Sequence, residues 1–265
     1  MGALLAAAVG ALFFFANDRG DVPAEDFAPV AEKIERPPVQ GETSAGEGVE
    51  DAPIKDIARR KGAYLADFSP QIPAGHAADV YAALKSRADA GDHRSAVLLY
   101  EKLEACRRVI NARSMEATTR PEDCTGLTDE QYRSAAQLVE KAAAAGVIEA
   151  QLIYASDPER FVGPMSDALR NADRIVEYKK NVYRYLTSSA SQGSVDAMSE
   201  LASFYRRGGL WSKDPVKAYA YRYASERARP SASPLLQRYA EGLSSDQLQQ
   251  GRMQGESIYQ ACCGK

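Results

Sequence analysis

Apolar and polar positions change their pattern twice along the chain. Gly2 to Ala16 are fifteen consecutive apolar or small residues without a charge. From Asn17 to Lys61 the apolar density collapses, Phe27 is the lone aromatic, and Pro23, Pro29, Pro37, Pro38 and Pro53 alternate with Gly20, Gly41, Gly46 and Gly48. Beyond Lys61, Ala, Leu, Tyr and Arg recur at helical spacing with almost no alternating β-branched runs, which predicts an all-α domain over residues 62–265. The first run would extend roughly 22 Å as a helix, short of the roughly 30 Å hydrocarbon layer. That length fits a signal peptide or short signal anchor over residues 1–16, although no basic residue precedes it and Phe14-Phe15-Ala16 departs from a small-x-small cleavage pattern. Residues 17–61 cannot bury enough apolar surface to offset their ordering entropy and are expected to be a disordered acidic linker.

The helical part repeats itself around three glycines: Ala88-Asp-Ala-Gly91, Ala143-Ala-Ala-Gly146 and Ala190-Ser-Gln-Gly193. Four residues beyond each stands a small residue (Ser95, Ala150, Ala197), and eight beyond a large one (Leu99, Tyr154, Leu201). These positions share one helical stripe, so the small residue admits a neighbouring helix and the large one fills the gap above it. The spacing between glycines is 55 and then 47 residues, with extra text near Asn111–Gly126 and Ser156–Asp167. Asp214-Pro215 offers an N-cap with Pro at the first helical position, and Gly208 a left-handed helix end. Pro234–Ala240 and Ser244–Cys262 read as two closing helices, the second with Leu248, Met253 and Ile258 thinly spaced along it.

The third copy, ASQGSVDAMSELASFYRRGGLWSKDPVKAYAYRYAS, resembles the Sel-one-like repeat, a helix-turn-helix unit related to the tetratricopeptide repeat. Matching positions are Ala190, Gly193, Ala197, Leu201, Tyr205, Gly208, Asp214, Ala218, Tyr221 and Ala224. The resemblance is strong over residues 186–228 and weaker over 76–155, and the two earlier units exceed the family's usual length. It implies a right-handed α-solenoid of Sel-one-like units, which presents an extended concave face.

Four cysteines occur. Cys106 follows the first repeat's helix and Cys124 closes the insertion before Gly126-Leu127. In an exported protein a bond between them would staple the loop, contributing about 3 kcal/mol; the alternative is two thiols of no consequence. Their placement resembles exported Sel-one-like proteins of Gram-negative bacteria. Cys262 and Cys263 have no metal-ligand spacing and are expected in a frayed tail, intermolecular pairing being the alternative.

Charge and chemistry narrow the function. Thirty-three Lys plus Arg against thirty-six Asp plus Glu give a net charge of -3, so no global positive field serves nucleic acid. The two histidines, His76 and His93, lie in alanine-rich helical text and suit solvated or capping positions. No metal motif, cofactor loop, GxSxG elbow or Ser-x-x-Lys is present, so no catalytic residue, metal or cofactor is assigned.

Recognition is then the expected task, and Tyr, Trp and Arg dominate such surfaces. Arg206, Arg207, Trp211, Tyr219, Arg222 and Tyr223 form the candidate protein-binding group. The insertion side offers Tyr178, Lys179, Lys180, Tyr183, Arg184 and Tyr185. The plainer alternatives are that Trp211 is half core, that Tyr219 and Tyr223 pack on the next unit, and that Lys179-Lys180 is a wetted face. The expected protein is a non-enzymatic periplasmic scaffold, tethered to the inner membrane or released after signal cleavage. Its expected partner is another protein or a peptide-like envelope component, and the membrane is met only through the N-terminal segment. The alternative is an envelope hydrolase or a modulator of peptidoglycan enzymes, which clustered buried ionisable groups in a cleft would favour.

Overall fold

The computed structural model describes residues 62–64, 72–112, 119–167, 170–230 and 235–264, all within the compact unit Ile54–Lys265. The apolar run at 1–16 and the linker at 17–61 lie outside the described residues. Ten helices follow in order: α1 (Ala77–Asp89), α2 (His93–Ala112), α3 (Asp129–Ala144), α4 (Ile148–Ser156), α5 (Pro158–Val162), α6 (Ala172–Ser191), α7 (Val195–Arg207), α8 (Pro215–Ala228), α9 (Leu235–Ala240) and α10 (Ser245–Cys263). The described residues contain no strand, so the all-α expectation holds. None of their helices is long and apolar enough to cross a membrane.

Three of the junctions are built alike. Gly91, Gly146 and Gly193 have φ of 97°, 92° and 93°, a left-handed conformation that a β-carbon makes costly. At each one the glycine N–H donates to a carbonyl three residues back (Ala88, Ala143, Ala190), and the next N–H donates five residues back (Arg87, Ala142, Ser189). This paired closure satisfies carbonyls that a helix end would leave open, and it reverses the chain within two residues. The stripe expected beyond each glycine faces inward: Ser95, Ala150 and Ala197 are buried, as are Leu99, Tyr154 and Leu201. Helices pack largely in chain order, α1 on α2, α2 on α3, α3 on α4, α6 on α7 and α7 on α8, while α4 reaches past α5 to α6 and α8 meets α10 most extensively of all. Buried Gln151 ties this order laterally, its amide donating 3.0 Å to the Ala143 carbonyl of α3 while its oxygen accepts from Ser189 of α6.

The second stretch of extra sequence does more than loop. It folds as α5, capped by Asp157, and delivers Phe161 to the core with its ring 4.6 Å from Tyr154. The first is closed by Cys106–Cys124, bonded at 2.03 Å and buried against Ala77.

The end of the chain departs from expectation. Met253, placed by sequence on the apolar stripe of α10, is 67% exposed. The buried face instead carries Gly251 and Gly255, where added β-carbons would lie 2.8 Å from the Tyr219 ring and 2.7 Å from the Ala220 carbonyl of α8. Two absent side chains thus let α10 approach α8 until rings and backbone fill the seam. Cys262 and Cys263 are not frayed: Cys263 is buried, and its sulfur is joined to that of Cys262.

Ahead of α1, residues 62–64 form a strap. The Tyr64 N–H donates to the Gly193 carbonyl at 2.8 Å, and the Val195 N–H donates to the Tyr64 carbonyl at 3.0 Å. Ala63 and Tyr64 are buried, the Tyr64 hydroxyl donates to Glu149, and Gly62 lies against Cys262 and Cys263.

Candidate docking surface

Helix α7 buries Val195, Met198, Leu201, Ala202 and Tyr205 and turns Arg206 and Arg207 outward at its end. Gly208 then adopts φ 76°, its N–H donating to the Phe204 carbonyl at 2.8 Å, and the Lys213 side chain lies across it. Asp214 restarts the chain as α8, accepting from the Lys217 N–H at 2.9 Å with Pro215 in the first turn. Between these two fixed ends, the loop presses Trp211 into a ring cluster. Its centroid lies 5.2 Å from Phe204, 5.6 Å from Tyr205 and 5.6 Å from Tyr183, the last edge-on. Below it Tyr205 stacks on Tyr221 at 5.9 Å. Burial pushes the Tyr221 phenol up to about 12 and the Tyr205 phenol higher still, so both stay neutral donors at any ordinary pH. The Trp211 indole N–H is buried and has no acceptor among the described residues.

The six residues singled out by sequence separate into three settings. Arg206, Arg207 and Trp211 share the end of α7 and its loop; the Arg206 guanidinium stands 4.9 Å over Tyr239 of α9 and that of Arg207 5.8 Å over Phe204. Arg222 is largely buried and pairs with Glu226 one turn on. Tyr219, 3% exposed, lies on Gly251, and Tyr223 on Gly255, so both meet α10. Phe204 and Tyr239 belong to the first setting and were not foreseen; an aromatic three residues before a terminal Arg is the signal that would have found Phe204.

A second polar assembly lies at α2, α3 and α5. Arg107, Ile110, Asn111, Asp129, Tyr132, Arg133 and Arg160 line an open groove of about 720 Å³. Beneath it Glu104 is buried, paired with Arg107 and 3.2 Å from Arg160 Nε, while Asp157 accepts from Tyr100 at 3.3 Å and Arg107 at 3.4 Å. Burial raises the Glu104 carboxyl, and Arg107 pulls it partly back. Both carboxylates hold guanidinium groups, and Asp157 also caps α5. His76 is bonded at 3.0 Å to Thr125. Among the described residues no group of three His, Cys, Asp or Glu could hold a metal ion.

In comparison with known proteins, no family model matches this chain and no curated protein matches it.

Proposed function

We propose that this chain is a non-enzymatic docking protein, a right-handed solenoid of Sel-one-like units that binds another protein or a peptide-like component of the bacterial envelope. In this reading the N-terminal apolar segment exports the chain and either tethers it to the inner membrane or is cleaved, leaving it in the periplasm. The carrying observation is the end of α7, where outward arginines border a half-buried aromatic cluster held by a loop with two fixed ends. Three identical glycine closures and neighbour-to-neighbour packing support the repeat reading. Arg and Trp beside partly buried rings are the residue types that dominate binding surfaces.

The groove over Glu104 is the feature that favours the alternative, a hydrolase or a modulator of peptidoglycan enzymes. Glu104 and Asp157 beneath it are committed to arginines, which leaves structural pairing as their stronger role. In-cell crosslinking of the full chain, comparing wild type with Arg206→Ala/Arg207→Ala, tests the proposal. Loss of a specific crosslinked envelope partner in the variant is expected; an unchanged partner set removes the end of α7 from consideration. The earlier suspects are tested alongside by Arg222→Ala/Tyr223→Ala.

A further inference from the structure

We infer that the segment docking at the end of α7 is an acidic peptide carrying an apolar or aromatic residue among its carboxylates. This rests on the docking surface proposed above. Several arginines of the described residues are matched to carboxylates: Arg87 with Asp92, Arg107 with Glu104, Arg120 with Asp123, Arg133 with Glu130, Arg222 with Glu226 and Arg227 with Glu256, while Arg174 bonds to the Phe161 carbonyl, Arg184 to Asn181 and Tyr185, and Arg252 to the Tyr219 hydroxyl. Arg206 and Arg207 carry no ion pair among the described residues and stand over the rings of Tyr239 and Phe204 instead. A guanidinium held over a ring face spends no N–H on a carboxylate there, which leaves the fork of N–H groups that matches a carboxylate available. Lys213, whose side chain lies across Gly208, adds a third cation with no ion pair among the described residues. The acid that feels Arg207 is Glu200, whose carboxyl burial raises and Arg207 partly restores; it does not pair with the guanidinium.

The face therefore presents donors and positive charge with few acceptors of its own. Its complement is a ligand of acceptors and negative charge. Phe204, Trp211 and Tyr239 supply ring surface between the cations, which accommodates an apolar side chain as well as charge. Nucleic acid shares the negative charge, but a chain of net charge -3 lacks the broad basic field that phosphate backbones require.

Trp211 is the single tryptophan of the chain, so its emission reports on this face alone. The test selects peptides from a randomised nonapeptide display library on the full chain, in parallel with Arg206→Glu/Arg207→Glu. Synthesised hits are then titrated by Trp211 emission at low and high salt. Expected are hits enriched in Asp and Glu that shift the emission, weaken with salt, and bind the variant about tenfold or more weakly. Hits that shift the emission but are neutral or basic, or that bind the variant equally well, overturn the acidic assignment and leave the docking surface standing. A library that yields no hit shifting the emission overturns both. An oligonucleotide that displaces the hits at equal concentration would assign the face to nucleic acid and also overturn the inference. Unchanged far-ultraviolet circular dichroism of the variant confirms that it is folded.

Discussion

Asp92 shows how much one side chain settles at a helix start. Its carboxylate accepts the N–H groups of Arg94 and Ser95 at 3.1 and 3.2 Å and the Ser95 hydroxyl at 2.6 Å. Burial pushes this carboxyl up, but those hydrogen bonds and Arg87 outweigh it and hold the group below the usual carboxylate range. Its stabilisation is therefore complete above the ordinary Asp range and is lost as pH falls through its own lower value. Asp92→Ala is expected to cost about 1 kcal/mol at neutral pH, measured by urea unfolding. Glu104 has the opposite sign. Because burial raises its carboxyl, the folded state holds that proton more tightly than the unfolded chain, and its contribution declines as pH rises from the ordinary Glu range through the raised value. Thermal melts from acid to neutral pH should show wild-type stability relative to Glu104→Gln falling as pH rises; a rising difference would contradict the sign.

At the scale of elements, the three closures were legible because each needs a residue type that sequence displays openly. A positive φ demands glycine, and the small and large residues behind it follow helical spacing. The α8–α10 seam was not legible, because its close approach depends on side chains that are missing at Gly251 and Gly255 while the apolar filling comes from Tyr219 and Tyr223 on the other helix. Sequence alone showed those tyrosines either as binding residues or as packing. The contrast between glycines is testable. Gly91 has open space where a β-carbon would stand, so Gly91→Ala carries only the backbone penalty, about 1–2 kcal/mol. At Gly193 the same carbon would collide with the Gly62 carbonyl, so Gly193→Ala should destabilise clearly more than Gly91→Ala in chemical denaturation. Gly255→Ala should likewise destabilise by about 1–3 kcal/mol despite alanine's better helix propensity, since the carbon would meet the Ala220 carbonyl at 2.7 Å.

Across the whole molecule, the all-helical class and the order of hairpins could be read from periodicity, while the long-range ties could not. Cys106–Cys124 was one of two open possibilities, and the core role of Phe161 was hidden in text rich in Asp, Pro and Gly. Replacing both cysteines, Cys106→Ala/Cys124→Ala, should lower unfolding stability by about 3 kcal/mol, seen as an earlier denaturation midpoint that added reductant leaves almost unmoved.

The strap at Gly62–Tyr64 gives the protein a mechanical character as well. Traction on the chain upstream of Gly62 reaches Tyr64 before it reaches α1, and is taken up there by the two backbone bonds to Gly193 and Val195. The clip must therefore part before α1 and the hairpins beyond it take the load.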